Sequence, residues 1–187
     1  MDKLPNDLSR IEVYESALYL NLLVPYADSF RKEESIALEF GSGWGEGLIA
    51  LNAFSRAFGI KNVYGSEISI ARRARAHEIA EDLSIVDSSI FHDGFSMLDT
   101  YANRASVVVA STAGPSTEVS VARLVSGSLG ALHTGGLFLI FSDTDTMKEV
   151  ATVVHGLPIG YGQVIVQQGN IRSERVPSLK PYYIIKK

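Results

Sequence analysis

Leu38-Glu39-Phe40-Gly41-Ser42-Gly43-Trp44-Gly45-Glu46-Gly47 is the stretch on which the fold turns. It closes an apolar run over 36–40 and leads into a helical pattern over 48–58, so it reads as a strand, a glycine-rich turn and a helix N-terminus. Glycine lacks a Cβ and tolerates positive φ, which lets the backbone of such a turn approach a ligand closely. The glycines occupy positions 41, 43, 45 and 47, every second residue. A dinucleotide fingerprint, G-x-G-x-x-G, needs its third glycine at 46 or 48. Glu46 and Leu48 stand there, so the nicotinamide reading fails on spacing. What the spacing fits is acid-x-Gly-x-Gly-x-Gly headed by Glu39; the alternative is a glycine-rich turn with no ligand.

Upstream, apolar Ile11, Tyr14, Leu18 and Leu22 recur at helical steps behind Asp7, a candidate N-cap. Pro25 breaks or kinks that helix, and Arg31-Lys32-Glu33-Glu34 is a solvated link. Downstream, the pattern alternates. Strands are expected at 62–65, 88–92, 106–110 and 137–141, with helices over 69–82, 96–103, from Ser116 or Thr117 onward, and 144–155. Gly59 is a C-cap candidate for the helix after the glycine turn. The helix from Ser69 is expected to bury Ile70, Ala74, His77 and Ala80; the one before Gly135-Gly136 carries Ala122, Val125, Leu129 and Leu132 at helical spacing. Two last strands, 163–168 and 182–185, have no helix between them, only a polar loop with Asn170, Arg172, Glu174 and Arg175. Continuous apolar strands alternating with helices imply a doubly wound, mostly parallel sheet covered on both faces. The terminal pair adds an antiparallel hairpin at one edge. The expected organisation is a helical segment, 1–35, ahead of a single α/β domain, 36–187, with seven strands.

Composition narrows the function classes. The chain has 187 residues, no cysteine and a net charge of −4. Disulfides, thiolate metal sites and a cysteine nucleophile are therefore excluded. No overall basic field advertises nucleic acid. No apolar run approaches a membrane span, and residues 1–7 are polar and unlike a signal peptide, so a cytoplasmic protein with no membrane partner is expected. Four scattered histidines do not form a metal site. Asp143 and Asp145 are expected to cap the last helix rather than bind a metal.

In an open parallel sheet, ligands bind beyond the carboxyl ends of the strands. Four such ends here are polar: Glu39 with the glycine turn, Ser66-Glu67, Asp93-Gly94-Phe95, and Ser111-Thr112-Ala113-Gly114-Pro115. With the glycine spacing, this layout resembles the seven-strand, class I S-adenosylmethionine-dependent methyltransferases, over the whole of 36–187. The resemblance implies S-adenosylmethionine as cofactor and methyl transfer by in-line displacement. Its amino-acid arm would lie against Gly41, Ser42, Gly43 and Gly45, with Glu39 orienting the loop or the ammonium; local amide capping is the plainer role for Glu39. Glu67 would accept from ribose hydroxyls, or else pair with Arg72 or Arg73. Asp93 would accept from the adenine amino group, or cap a helix. Phe95 with Gly94 would contact the ring, or belong to the core. Ser111 and Thr112 would face the methyl acceptor, or form a polar turn. Ser111 thus counts both for the cofactor site and, with Tyr14, for catalysis. His92 is the histidine nearest this cleft. No residue stands out as an indispensable base.

Three fragments also resemble the non-SET histone-lysine methyltransferases: Gly41-Ser42-Gly43-Trp44-Gly45 with Val63-Tyr64-Gly65-Ser66-Glu67; Val13-Tyr14-Glu15; and Ser106-Val107-Val108 leading to Gly114-Pro115. That resemblance places a protein lysine among the acceptors. It departs at Ser111-Thr112, where the family carries Asn-Asn, and at Tyr14-Glu15, which lacks the family's intervening glycine. The absence of an Asn/Asp-Pro-Pro-Tyr/Phe motif after the fourth strand argues against adenine and glutamine N-methylation. RNA, for which Arg72, Arg73 and Arg75 form a local basic cluster, and small molecules stay open as acceptors. So does a non-catalytic cofactor-binding or scaffold role. An aminopropyl transferase is disfavoured, because no paired acids follow the fourth strand.

Overall fold

A computed structural model describes residues 10–30, 35–82, 90–111, 120–157, 167–170 and 181–187. Asp7, Thr112–Pro115 with the start of the following helix, residues 163–166, and the loop carrying Arg172, Glu174 and Arg175 lie outside the described residues. In chain order the elements are α1 (Arg10–Asn21), a 3-10 turn (Val24–Ser29), β1 (Ile36–Phe40), α2 (Glu46–Ala57), β2 (Asn62–Ser66), α3 (Ile70–Asp82), β3 (Ile90–Phe91), α4 (Gly94–Thr100), β4 (Ala105–Ser111), α5 (Val121–Ala131), β5 (Leu132–Phe141), α6 (Thr144–His155), β6 (Gln167–Asn170) and β7 (Pro181–Lys186).

The sheet has seven strands in the order β3-β2-β1-β4-β5-β7-β6. β1 pairs in parallel with both β2 and β4, and β4 with β5. The parallel strands are wholly buried along most of their length, as expected when helices cover both faces. β7 inserts antiparallel between β5 and β6, so the terminal hairpin joins the sheet through its second strand. The order reverses between β1 and β4, and the crevice at that switch point is where the polar strand ends meet.

Alternation along the strands splits the core in two. Ala37, Val63, Val107, Leu139 and Ile184 face one layer with α1, α2 and α3. Leu38, Val108, Phe138 and Ile185 face the other with α4, α5 and α6. Tyr19 of α1 is fully buried in the first layer, its ring stacked on Phe141 at 4.0 Å. The segment ahead of β1 therefore shares the core of the α/β unit.

Two helix faces differ from the sequence expectation. On α3 the buried residues are Ala76, Ile79 and Ala80, while Ile70, Ala74 and His77 are exposed. The close approach of Gly45 to Ala76 and Ile79 turns that face toward the glycine turn, a long-range contact that periodicity does not report. On α5, Ala122 is exposed, and the helix stops at Ala131, so Leu132 opens β5 instead. The early strand start is accommodated by a bulge: Ala105 pairs with Leu132 but Val107 with Leu137. Pro25 lies within the first turn of the 3-10 segment, where its missing N–H costs nothing.

Candidate functional site

The four polar strand ends converge on the carboxyl edge of β1, β2, β3 and β4. The glycine turn is built for close approach. Gly41, Gly43 and Gly45 have φ of 79°, 56° and 104°, in the region that L side chains avoid. Gly47 is different: its φ is ordinary, but a Cβ there would overlap Oε1 of Glu39 and lie 2.9 Å from its Cδ. Gly65 likewise gives room to the Ser42 side chain. The alternate-glycine spacing therefore has two causes, backbone handedness at three positions and side-chain room at the fourth. Gly47→Ala should displace the Glu39 carboxylate and weaken binding at the turn about tenfold, corresponding to the ~1–3 kcal/mol typical of overpacking. Titration calorimetry measures this, and unchanged affinity would show the Glu39 position to be immaterial.

Glu39 lies at the end of β1 beneath α2, 3% exposed. Its Oε2 is shut off from solvent and has no hydrogen-bond partner among the described residues. Burial pushes its carboxyl up to about 8; the Ser42 hydroxyl works against the shift, and the charges of Glu46 and Glu67 add to it. The three carboxylates are not placed to share a metal ion, since the described residues hold no group of three His, Asp or Glu side chains fit to ligate one.

Glu67 braces the turn from the other side. Its Oε2 accepts from the Gly43 amide at 3.0 Å and its Oε1 from the Ser69 amide at 2.8 Å. Neither Arg72 nor Arg73 pairs with this carboxylate in a hydrogen bond. Arg73 donates to the main-chain carbonyl of Glu67 at 3.1 Å and to Nδ1 of His92, which is exposed. Arg75 pairs with Glu78. Arg72 lies over the Trp44 ring, 5.7 Å from its centroid. The sequence cluster of three arginines is thus three separate contacts.

Asp93 is the N-cap of α4, accepting from the Phe95 amide at 3.0 Å and the Ser96 hydroxyl at 2.8 Å. The Ser96 hydroxyl, ahead of the amides and Arg123, holds its carboxyl below the ordinary value of 3.8. A carboxyl lowered in the folded state stabilises above its unfolded value, and that stabilisation is lost as pH falls through the folded one. Asp93→Ala should therefore cost about 1 kcal/mol near neutrality, as cap removal does. The deficit should shrink as pH falls below the ordinary carboxyl value of 3.8, where wild type comes to lose the ionised cap as well. Thermal unfolding against pH measures it. Asp93 remains exposed, so the cap leaves lone pairs free toward the cleft. Phe95 is half-buried, edge-on to Phe40 at 5.2 Å with the Arg123 guanidinium 3.9 Å over its face. A Cβ on Gly94 would overlap the Phe40 ring.

Ser111 ends β4 beside the glycine turn, its carbonyl 3.7 Å from where a Gly41 Cβ would be; Thr112 lies outside the described residues. Tyr14 is in α1, not in a loop. Tyr19 packs at the carboxyl end of β5, whereas Ser29 bonds Gly135 at the opposite end, so α1 descends from the carboxyl edge. Five residues of helix rise about 7.5 Å, which carries the exposed Tyr14 beyond the carboxyl end of β5. Asp143 caps α6 through the Asp145 and Thr146 amides.

Two residues at this edge escaped the sequence reading. Glu46 is the first residue of α2, where it adds to the charge around Glu39. Ile68 directly follows Glu67 and is 66% exposed; with Trp44 at 47% and Ile70 at 75% it adds bare apolar side chains to this edge. A bare isoleucine in a polar strand-end turn was the available signal. The N-cap of α2 is Gly45, which has no side chain to cap it, so the first amides of the helix are without an intrahelical acceptor.

The sequence matches no protein-family model and no curated protein. Solved structures do match. An rRNA methylase from Streptococcus thermophilus superposes at a TM-score of 0.66 with 20% identity, covering 100% of this chain and 98% of that one. Geranyl diphosphate C-methyltransferase from Streptomyces coelicolor A3(2), solved with S-adenosyl-L-homocysteine, gives 0.64 at 11% identity over 91% of this chain and 77% of its own. Precorrin-6y C5,15-methyltransferase from Geobacter metallireducens gives 0.58 at 13% identity over 88% and 86%. The chain has the class I methyltransferase fold. No helix among the described residues is long and apolar enough to cross a membrane.

Proposed function

We propose that this chain, which carries the class I methyltransferase fold, is an S-adenosylmethionine-dependent methyltransferase. The observation that carries the reading is Glu39, a buried carboxylate with an orphaned oxygen directly under a turn that glycines open to a ligand. The residues suit the cofactor throughout. Glu39 takes its ammonium, and the uncapped first amides of α2 take its carboxylate. Glu67, which keeps lone pairs beyond its two amide bonds, takes the ribose hydroxyls. Ile68 covers one face of the adenine, and Asp93 accepts from its amino group. When bound, S-adenosylmethionine supplies a methyl carbon already activated by its sulfonium. The chain's own part is to hold an acceptor in line at the β4 side, near Ser111 and Tyr14, and to exclude water there.

For the acceptor we favour RNA over a protein lysine. One of the three fragments behind the lysine reading, Val13-Tyr14-Glu15, lies within a helix here. At the rim, the exposed indole of Trp44 lies against Arg72, with His92 and Arg73 nearby, the kind of aromatic and cationic surface on which unpaired bases stack. The rRNA methylase of matching length supports the same choice.

The test has two steps. Calorimetry with S-adenosylmethionine and S-adenosylhomocysteine should give micromolar binding, and a folded protein that binds neither is not a methyltransferase. Tritiated methyl transfer to total RNA, run beside protein and small-molecule extracts, then decides the acceptor. Label in proteins or small molecules alone overturns the RNA reading. Binding without transfer to any pool favours the scaffold role.

A further inference from the structure

We propose that Glu39 stands protonated in the empty cleft and releases its proton to solvent when a ligand ammonium takes the place beside it, so that cofactor binding is coupled to the loss of one proton. The inference rests on the methyltransferase reading, which supplies the ammonium. Its physical basis is a buried carboxylate to which no described cation is paired.

Glu39 is 3% exposed and its Oε2 has no partner. Among the described residues, the charges that act on it are of its own sign. α2 presents Glu46, and the end of β2 presents Glu67. α3 carries Arg73, which is turned to the Glu67 carbonyl and to His92. The described side chains of α1, packed on α2, include Glu15 and no cation. The glycine turn offers only the Ser42 hydroxyl. An ionised carboxylate in this setting is stripped of water and repelled by its neighbours. Burial accordingly pushes it up to about 8, above neutrality.

Gly47 prevents a simple escape. Its missing Cβ leaves a slot that the Glu39 carboxyl fills, so the group is packed in place. An ammonium arriving at the turn supplies the missing cation, and the carboxylic acid O–H then loses its proton to water as the ion pair forms. The balance is one proton out for one ligand in.

The experiment is calorimetry of S-adenosylhomocysteine binding at pH 7 in buffers of different ionisation enthalpy, repeated from pH 6 to 7.5. Over that range the ligand's amine, an amino acid's and more basic than the ~7.7–8.0 of a peptide N-terminus, stays largely protonated. The expected result is release of close to one proton at pH 7 and affinity rising close to tenfold per pH unit. 5′-Methylthioadenosine, which lacks the amino-acid arm, should bind with no proton release. Glu39→Gln should bind S-adenosylhomocysteine with neither release nor slope. Binding by wild type with heats independent of the buffer overturns the inference and leaves the methyltransferase reading intact. Failure of wild type to bind overturns both.

A second measurement needs no ligand. An acid raised in the folded state makes the folded state hold the proton, so stability falls as pH rises from its unfolded value toward its folded one. Empty wild type should therefore lose stability relative to Glu39→Gln between about pH 5 and 8. Parallel pH curves for the two proteins would place a charged Glu39 in the empty cleft and overturn the inference.

Discussion

Glu67→Ala weakens S-adenosylhomocysteine binding about 100-fold while the protein stays folded. The carboxylate makes two charge-assisted bonds across the mouth of the crevice, one to the Gly43 amide and one to the Ser69 amide. Each such bond is worth about 1.5–3 kcal/mol. Losing both frees the glycine turn from the β2–α3 connection and removes the ribose acceptor. Global stability suffers less, because both amides lie near solvent and water replaces the carboxylate. Calorimetry gives the affinity and circular dichroism the fold. Glu67→Gln separates the two roles: it keeps the volume and one acceptor but points N–H groups at an amide donor, and it should fall between wild type and alanine. An alanine variant binding within threefold of wild type would mean that Glu67 neither braces the turn nor touches the ligand.

Tyr19→Ala lowers stability by about 3–5 kcal/mol, the range for removing a buried aromatic. For a chain of this size that is about 10 °C in Tm. Tyr19 is fully buried, stacked on Phe141 with 5° between the ring planes and edge-on to Tyr182 at 6.3 Å. It joins α1 to β5 and to β7, the strand through which the terminal hairpin pairs with the parallel sheet. Tyr19→Phe should retain most of the stability, since the stacked ring remains. A shift under 3 °C for the alanine variant, on the scale of a surface substitution, would mark residues 10–30 as an appendage instead of part of the core.

Much of the architecture was legible in the sequence, for a local reason. The apolar runs at 36–40, 62–65 and 106–110 match β1, β2 and β4 to within a residue at either end. A run of consecutive apolar residues bounded by glycine or polar turns has few alternatives to a buried parallel strand. Caps were legible too: Asp143 caps α6 as expected, through a side chain that reaches its own neighbours. Where contacts run between distant segments, the reading failed. The buried face of α3 is set by Gly45 approaching Ala76 and Ile79, and the end of α5 by a bulge opposite β4.

For the candidate site the division is similar. The sequence by itself determined that Glu39, Glu67, Asp93 and Ser111 stand at one edge of the sheet, because the carboxyl ends of parallel strands lie together; it did not single out Glu46 and Ile68 there. It also determined that glycines would alternate through the turn. What those groups do to one another was decided by the tertiary structure alone. Glu67 braces the turn because Gly43 and Ser69 bring their amides to it. The Glu39 carboxyl is pushed up to about 8 because burial removes water while the charges of Glu46 and Glu67 add to the shift. Gly47 is a glycine because a carboxyl eight residues earlier occupies the space of its side chain. Hydration, charge and steric room depend on what packs around a group, and adjacency in the chain does not record that.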